Sequence, residues 1–257
     1  MVLSLLLSVA FATNVTISNV WPRHNTTGSI IDAHDGTYNR WTPDGPWYYY
    51  AMVRSCELCA ARSLRYIYFT AHPFFIAAPP HHHHTQGYGN ECKQGQDMCN
   101  GHCGYGYSWI GVWKSPDLSN NSWTLVREAR DATWPQGNGV GAYFRVHVVF
   151  NKKTQKYVIW VNLSNCGPGC FVVGTSDSPE GPFTYSGFTN GRYAGGGDFD
   201  ILVDDDEEAY LIYTATREGH KMSVERLTDD YLQSAYSPHP PAPSPSPGAC
   251  VLVIISY

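Results

Sequence analysis

The sequence has little charge and no excess of basic residues. Asp, Glu, Lys and Arg make up 15% of its 257 residues, against about 25% in a typical soluble domain. The 17 Lys and Arg are outnumbered by 22 Asp and Glu, which gives a formal net charge of −5. A chain of this charge has no electrostatic means of neutralising a phosphate backbone or an anionic lipid surface. We therefore expect neither a nucleic acid nor a membrane as partner.

The sequence also lacks an apolar run of the ~20 residues that a membrane span requires. A shorter apolar run, Val2 to Ala12, is interrupted only by two serines and closes on Ala10-Phe11-Ala12. This small-x-small ending is typical of signal-peptidase sites. Because the run has no basic residue before it, a buried first strand is the alternative interpretation. We predict a signal peptide over residues 1–12 and a secreted, extracellular protein.

Eight cysteines are present, and in an oxidising compartment they predict disulfide bonds. Cys166 and Cys170 flank Gly-Pro-Gly, a tight turn that favours a bridge between them. The rival interpretation is zinc, because Cys56 and Cys59 have ligand spacing and His81–His84 follow downstream. A zinc module needs a second paired knuckle, however, and the sequence has none, so we predict no metal. Four sequons predict glycans wherever they are exposed: Asn14, Asn25, Asn120 and Asn162.

Glycine (24) and tyrosine (18) are abundant, which favours strands and turns over surface helices. Three segments share one layout of strand, turn, strand and a second strand pair, repeated at roughly 50 residues. This is the pattern of four-stranded propeller blades. We predict an all-β fold, a β-propeller. The three segments are residues 28–52 with 109–125, residues 143–185, and residues 198–232.

Two stretches do not fit the repeat. Residues 53–86 are basic, aromatic and His-rich, and they separate two segments that would otherwise join. The tail, residues 236–257, alternates Pro with small residues and is typical of a polyproline linker. The predicted organisation is a signal peptide at 1–12, a partial propeller at 13–235 with an irregular insertion at 53–86, and the Pro-rich tail.

Four motifs in order resemble one known family. They are Asp32-Ala33-His34-Asp35-Gly36, the stretch Ile110 to Leu118, Gly181-Pro182-Phe183-Thr184-Tyr185, and Leu202-Val203-Asp204-Asp205-Asp206. Together they resemble the five-bladed propellers of glycoside hydrolase family 43, most of all the galactan 1,3-β-galactosidase branch. The resemblance covers about residues 25–52 and 87–235. It implies a secreted, inverting hydrolase that binds β-galactan or a related cell-wall polysaccharide at one mouth of the central axis, without a cofactor.

The resemblance assigns roles to several polar residues. Asp198 matches the aspartate that orients the catalytic acid, and three glycines before it leave room for a ligand. A strand-edge Asp bonding its own turn is the alternative. Asp200 lies two residues further along the same predicted strand and therefore points to the same face, so an alignment error would exchange the roles of Asp198 and Asp200. Asp35 lies near the position of the general base, although a hairpin turn would also explain it.

Further residues are predicted to contact substrate. His34 matches a motif histidine that donates a hydrogen bond to a sugar hydroxyl, with a structural histidine as the alternative. Arg145 matches a motif arginine and is expected to pair with a site carboxylate. Trp113, Tyr143 and Trp160 offer aromatic faces to a sugar, or else pack in the core.

The resemblance also implies residues that this sequence does not contain. After Leu232 the family continues into a fourth blade that opens with the proton-donating Glu, whereas this chain runs from Gln233 into its Pro-rich tail. A general acid contributes about 10²–10⁴ in rate. We therefore expect about three blades and no hydrolysis by the chain as written. The alternative function is a non-catalytic carbohydrate-binding propeller. A structural Ca²⁺ at Asp204–Glu208 is possible, but such acids are more often solvated turn residues.

Overall fold

The computed structural model describes residues 23–29, 31, 33–54, 108–135, 143–163, 170–193 and 195–236, with single positions 15 and 17. The described chain is all-β, as predicted, and its only helical element is a 3₁₀ turn at Thr216–Glu218. No helix in this part is long and apolar enough to cross a membrane. The strands are β1 (Ala33–Arg40), β2 (Trp47–Arg54), β3 (Ser108–Ser115), β4 (Thr124–Glu128), β5 (Tyr143–Asn151), β6 (Lys156–Leu163), β7 (Cys170–Ser176), β8 (Thr184–Thr189), β9 (Gly196–Val203), β10 (Ala209–Ala215) and β11 (Lys221–Arg226).

The strands form three antiparallel sheets, each an up-and-down meander in chain order. β1 to β4 make the first sheet, β5 to β8 the second, and β9 to β11 the third. In the described residues the third sheet has three strands, followed by a single antiparallel bridge between Leu227 and Ser234. The predicted arrangement of about three propeller blades is confirmed.

The first strand of each sheet lies innermost. β5, which opens the second sheet, contacts β1 on one side and β9 on the other. Asn39 of β1 donates a side-chain hydrogen bond to the Val148 carbonyl of β5 at 3.0 Å. The first strands therefore line the inside of the arc, and the later strands of each sheet lie progressively further out.

The core of the described residues consists of two apolar layers between sheets and a third apolar cluster on the outer face of the first sheet. Side chains on alternate strand positions face the neighbouring sheet, because successive residues of a strand point to opposite faces. Val148 and Ile159 lie in the layer between the first and second sheets. Trp160 and Leu211 lie in the layer between the second and third sheets. The buried indole of Trp160 donates to the Tyr231 carbonyl at 2.8 Å, so this predicted sugar platform is a core residue.

The start of the predicted insertion differs from expectation. Val53 belongs to β2 and pairs with Trp109 of β3, and the antiparallel ladder continues to Arg54 opposite Ser108. The connection between these two strands is residues 55–107, so Val53 and Arg54 belong to β2 and not to the connection. The rest of the predicted insertion, the signal peptide and the tail from residue 237 onward lie outside the described residues.

One predicted glycosylation site is inconsistent with the fold. Asn162 is 2% exposed in β6 and donates to the Gly196 carbonyl of β9 at 3.4 Å. A glycan has no room at this position, whereas Asn120 is exposed. Cys170 is buried at the start of β7, and the seven other cysteines lie outside the described residues. The Cys166–Cys170 bridge therefore stays a prediction.

Candidate functional site

Each innermost strand breaks its register with the second strand of its sheet near its third residue. The interruption lies between His34 and Thr37 in β1, between Phe144 and Val146 in β5, and opposite Thr214 in β9. The third residues of these strands are charged: Asp35, Arg145 and Asp198. β-Bulges re-aim side chains and are common beside functional sites. The repeat therefore presents one charged side chain per sheet at the same end of the inner strands.

The bulge in β1 depends on a glycine. Asp35 has φ of 52°, an uncommon value for a residue with a side chain. A Cβ on the next residue, Gly36, would lie 1.9 Å from the carbonyl oxygen of Tyr50, so β1 can approach β2 this closely only without a side chain there. Asp35 thus lies inside a strand, at a bulge. The hairpin turn considered as the alternative explanation for Asp35 is wrong.

Two side-chain contacts join β5 to β9, an ion pair and a hydrogen bond. Arg145 Nε contacts Asp198 Oδ1, and two residues further along both strands His147 Nδ1 contacts Asp200 Oδ1 at 2.8 Å. The third residue of β5 contacts the third residue of β9, and the fifth contacts the fifth. The two strands therefore run side by side in the same direction. The His147 ring also packs against Phe199, with centroids 4.8 Å apart. These contacts fix where Asp198 lies relative to the second sheet.

The two carboxylates differ in their partners, although both side chains are largely exposed, that of Asp200 to 69%. The hydrogen bond from His147 lowers the pKa of Asp200, against a smaller opposing effect of burial. Asp200 is therefore ionised at neutral pH and engaged with His147. The side chain of Asp198 is 76% exposed. An ion pair this exposed adds only about 0–1 kcal/mol of stability, so its main consequence is to orient a carboxylate that a ligand can reach.

The chemistry of this end suits a polar, uncharged ligand. Arg145 has five N–H donors, of which the contact to Asp198 uses the one on Nε. The oxygens of Asp198 accept hydrogen bonds, and Asp35 adds a third charged side chain, which is exposed. Alternating donors and acceptors of this kind match the hydroxyl groups of a sugar. His34 lies in β1 opposite Met52, and its side chain is outside the described part.

Two predicted substrate contacts, Trp113 and Tyr143, are buried. Trp113 is 6% exposed and packs with Tyr49 and Trp123 on the far face of the first sheet. Tyr143 is 1% exposed, and its hydroxyl donates to the Pro135 carbonyl at 3.0 Å. Burial removes both rings from any ligand, so the structure gives them packing roles in place of the predicted sugar contacts.

The pairing of His147 with Asp200 was not predicted, although the sequence contains its signal. Basic and acidic residues recur two positions apart on consecutive inner strands, Arg145 with His147 and Asp198 with Asp200. Residues two apart share one face of a strand. Parallel neighbouring strands then bring the two sets together pairwise.

The acidic turn proposed for calcium has protein cations beside it. Glu207 pairs with Lys152, and Glu208 pairs with Arg226. The hydrogen bond from Arg226 lowers the pKa of the Glu208 carboxylate, against a smaller opposing effect of burial. Among the residues that the structure describes, no three His, Cys, Asp or Glu side chains are grouped as metal ligands. The Glu207–Lys152 pair connects the turns of the second and third sheets, whereas Glu208 and Arg226 both belong to the third sheet.

Three antiparallel meanders whose first strands line an axis, with charged residues at one end of those strands, define a partial β-propeller. Solved structures show which propellers it resembles. An exo-β-1,3-galactanase from Phanerochaete chrysosporium with bound galactose matches with a TM-score of 0.59 at 21% identity, over 86% of this chain and 41% of that one. A GH43 β-1,3-galactosidase matches with a TM-score of 0.59 at 19% identity, over 87% and 38%.

A bacterial enzyme gives the same result. The exo-β-1,3-galactanase of Clostridium thermocellum matches with a TM-score of 0.56 at 21% identity, over 85% of this chain and 39% of that one. This chain therefore has the fold of the GH43 galactanases and spans about two fifths of the length of these structures. No family model matches the sequence. No curated protein matches it either.

Proposed function

We propose that this protein binds β-galactan, or a closely related cell-wall polysaccharide, as a secreted member of the glycoside hydrolase class. One observation carries the proposal: Arg145 and Asp198 meet at the exposed end of the inner strands, in a fold shared with galactanases. The match to an enzyme with bound galactose supports a carbohydrate ligand. The sugar hydroxyls would lie between the guanidinium and the carboxylate.

The proposed catalytic roles follow from the chemistry of inversion. An inverting glycosidase needs a carboxylate that activates water and a carboxylic acid that protonates the leaving oxygen, about 6.5–9.5 Å apart. We assign the first role to Asp35, on the inner strand of the first sheet. Asp198, on the inner strand of the third sheet, would position the reacting sugar and the catalytic acid. His34 would donate a hydrogen bond to a sugar hydroxyl group.

No residue of 1–257 matches the glutamate that serves as proton donor in the family that the sequence resembles. A sugar acetal is cleaved slowly unless its leaving oxygen is protonated. We therefore propose that this 257-residue polypeptide binds galactan without hydrolysing it. The resulting second candidate function, a non-catalytic carbohydrate-binding propeller, rests on the same Arg145–Asp198 pair.

Calorimetric titration with β-1,3-galactotriose tests the binding proposal, with β-1,4-xylotriose as the specificity control. Asp198→Asn removes the charge and leaves the shape, and hydrogen bonds to charged groups are worth about 1.5–3 kcal/mol, so affinity should fall about 10- to 100-fold. The matched control is Asp205→Asn in the exposed β9–β10 turn, which should bind like wild type. Equal affinity of Asp198→Asn and wild type would remove Asp198 from the site.

A reducing-sugar assay on β-1,3-galactan tests the catalytic part separately. The wild-type chain should release no galactose above the background without protein. Steady release that Asp35→Asn abolishes would show that residues 1–257 contain a working acid, and would contradict the proposal that this polypeptide only binds.

A further inference from the structure

The segment that connects the second sheet to the third is fixed by a buried carboxylate. Glu225 of β11 is 4% exposed. Its oxygens accept hydrogen bonds from the hydroxyls of Tyr213 and Ser234, at 2.5 Å each. Both oxygens also accept from the backbone N–H of Arg192, at 2.9 and 3.0 Å. The next backbone N–H, that of Tyr193, donates to the Tyr213 hydroxyl at 3.0 Å.

These partners of Glu225 are N–H and O–H donors that carry no formal charge. A buried carboxylate is tolerated only when its lone pairs are satisfied, and hydrogen bonds to an ionised group are roughly twice as strong as neutral ones. Burial, together with the Glu225 carboxylate, raises the pKa of Tyr213, so its hydroxyl stays protonated and available as a donor. The network therefore holds the backbone at Arg192 and Tyr193 firmly against the third sheet.

The side chains of the same two residues point outward. Arg192 is exposed and Tyr193 is 40% exposed, with the guanidinium carbon 5.8 Å from the ring centroid. Most other large aromatic side chains in the described sheets are buried, including Trp113, Tyr143 and Trp160. Tyr193 is thus an exposed ring on a fixed backbone, which loses little conformational entropy when a ligand packs against it.

Tyr193 lies in the segment that leads from β8 into β9, the strand that carries Asp198. It precedes Asp198 by five residues, and consecutive Cα atoms are about 3.8 Å apart, so their Cα atoms lie within about 19 Å of each other. Gly195 lies between them, with φ of 92°, and its carbonyl accepts from the Thr216 N–H at 2.9 Å. An oligosaccharide bound at Asp198 can reach Tyr193 across this distance.

We propose that Tyr193 and Arg192 form an additional subsite that binds a second sugar unit of the galactan chain held at Asp198. The inference rests on the proposed function and adds to it a preference for oligosaccharides over single sugars. The ring of Tyr193 packs against the apolar C–H face of the sugar. The guanidinium of Arg192 donates to hydroxyl groups of the same unit.

Titration of β-1,3-galactotriose and of galactose into single variants tests the subsite. Tyr193→Ala should weaken binding of the trisaccharide about tenfold and change binding of galactose less than about twofold. Tyr193→Phe keeps the ring and should bind the trisaccharide like wild type. Tyr236→Ala is the matched control, because Tyr236 is an exposed tyrosine (56%) at the end of the described chain. Circular dichroism checks that each variant is folded.

The outcomes separate this inference from the proposed function. If Tyr193→Ala binds the trisaccharide like wild type while Asp198→Asn does not, the subsite is overturned and the proposed function stands. An equal loss in Tyr236→Ala would also overturn it, because the effect would not be specific to Tyr193. If wild type binds neither sugar, both are overturned.

Discussion

Removing the Glu225 carboxylate should destabilise the third sheet strongly. Glu225→Ala leaves three donors without their acceptor: the buried hydroxyls of Tyr213 and Ser234 and the partly buried N–H of Arg192. An unsatisfied buried donor costs about 1–3 kcal/mol, so the free energy of unfolding should fall by about 3–6 kcal/mol if water reaches some of the site. A typical domain has about 5–15 kcal/mol in total, so this is a large fraction of the stability.

Equilibrium urea unfolding followed by tryptophan fluorescence measures this effect. Glu225→Gln should lose only about 1–2 kcal/mol, because its amide oxygen still accepts from Arg192 and the hydroxyls can rotate to accept from its NH₂. Glu218→Ala, at an exposed glutamate in the 3₁₀ turn, should change the free energy by no more than about 0.5 kcal/mol. If Glu225→Ala is as stable as Glu218→Ala, the network does not hold this segment.

Two further substitutions test the inner strands. The His147 hydrogen bond lowers the pKa of Asp200 in the folded state. The stability that this hydrogen bond adds is therefore complete above the pKa of an unfolded Asp, about 3.9, and is lost as the pH falls through the pKa of Asp200 in the folded protein. Asp200→Asn should therefore show a shallower loss of urea stability from about pH 5 to pH 2 than wild type, and an unchanged slope would refute the pairing. Gly36→Ala places a Cβ 1.9 Å from a β2 carbonyl oxygen and should lower the free energy of unfolding by about 1–3 kcal/mol. A wild-type urea midpoint would show that β1 does not need its close approach to β2.

The fold could be predicted because its signals are local. Alternating apolar residues and turn residues repeat at a spacing of roughly 50 residues. β5 begins at residue 143, the predicted start of the second segment, and β9 begins at residue 196, two residues before the predicted start of the third. The end of β2 could not be predicted from the sequence. Val53 pairs with Trp109 across 55 intervening residues, and no local signal distinguishes the last residue of the strand from the first residue of the connection.

The candidate site could be predicted only in part. Asp35, Arg145 and Asp198 carry charge at a repeated position, which a sequence shows. Burial of Trp113 and Tyr143 depends on which strand face a neighbouring sheet covers, and strand residues of this type look alike in sequence on either face. The role of Glu225 was hidden for a related reason, because its donors come from three different parts of the chain, Arg192, Tyr213 and Ser234.

The central claim is that a galactan chain binds at the end of the inner strands where Arg145 meets Asp198. A crystal structure of the wild-type protein with β-1,3-galactotriose tests it most directly. The account predicts a galactose unit with hydroxyl groups within hydrogen-bond distance of both side chains, and a second unit against the ring of Tyr193. A trisaccharide bound elsewhere on the sheets, with Arg145 and Asp198 uncontacted, would contradict it.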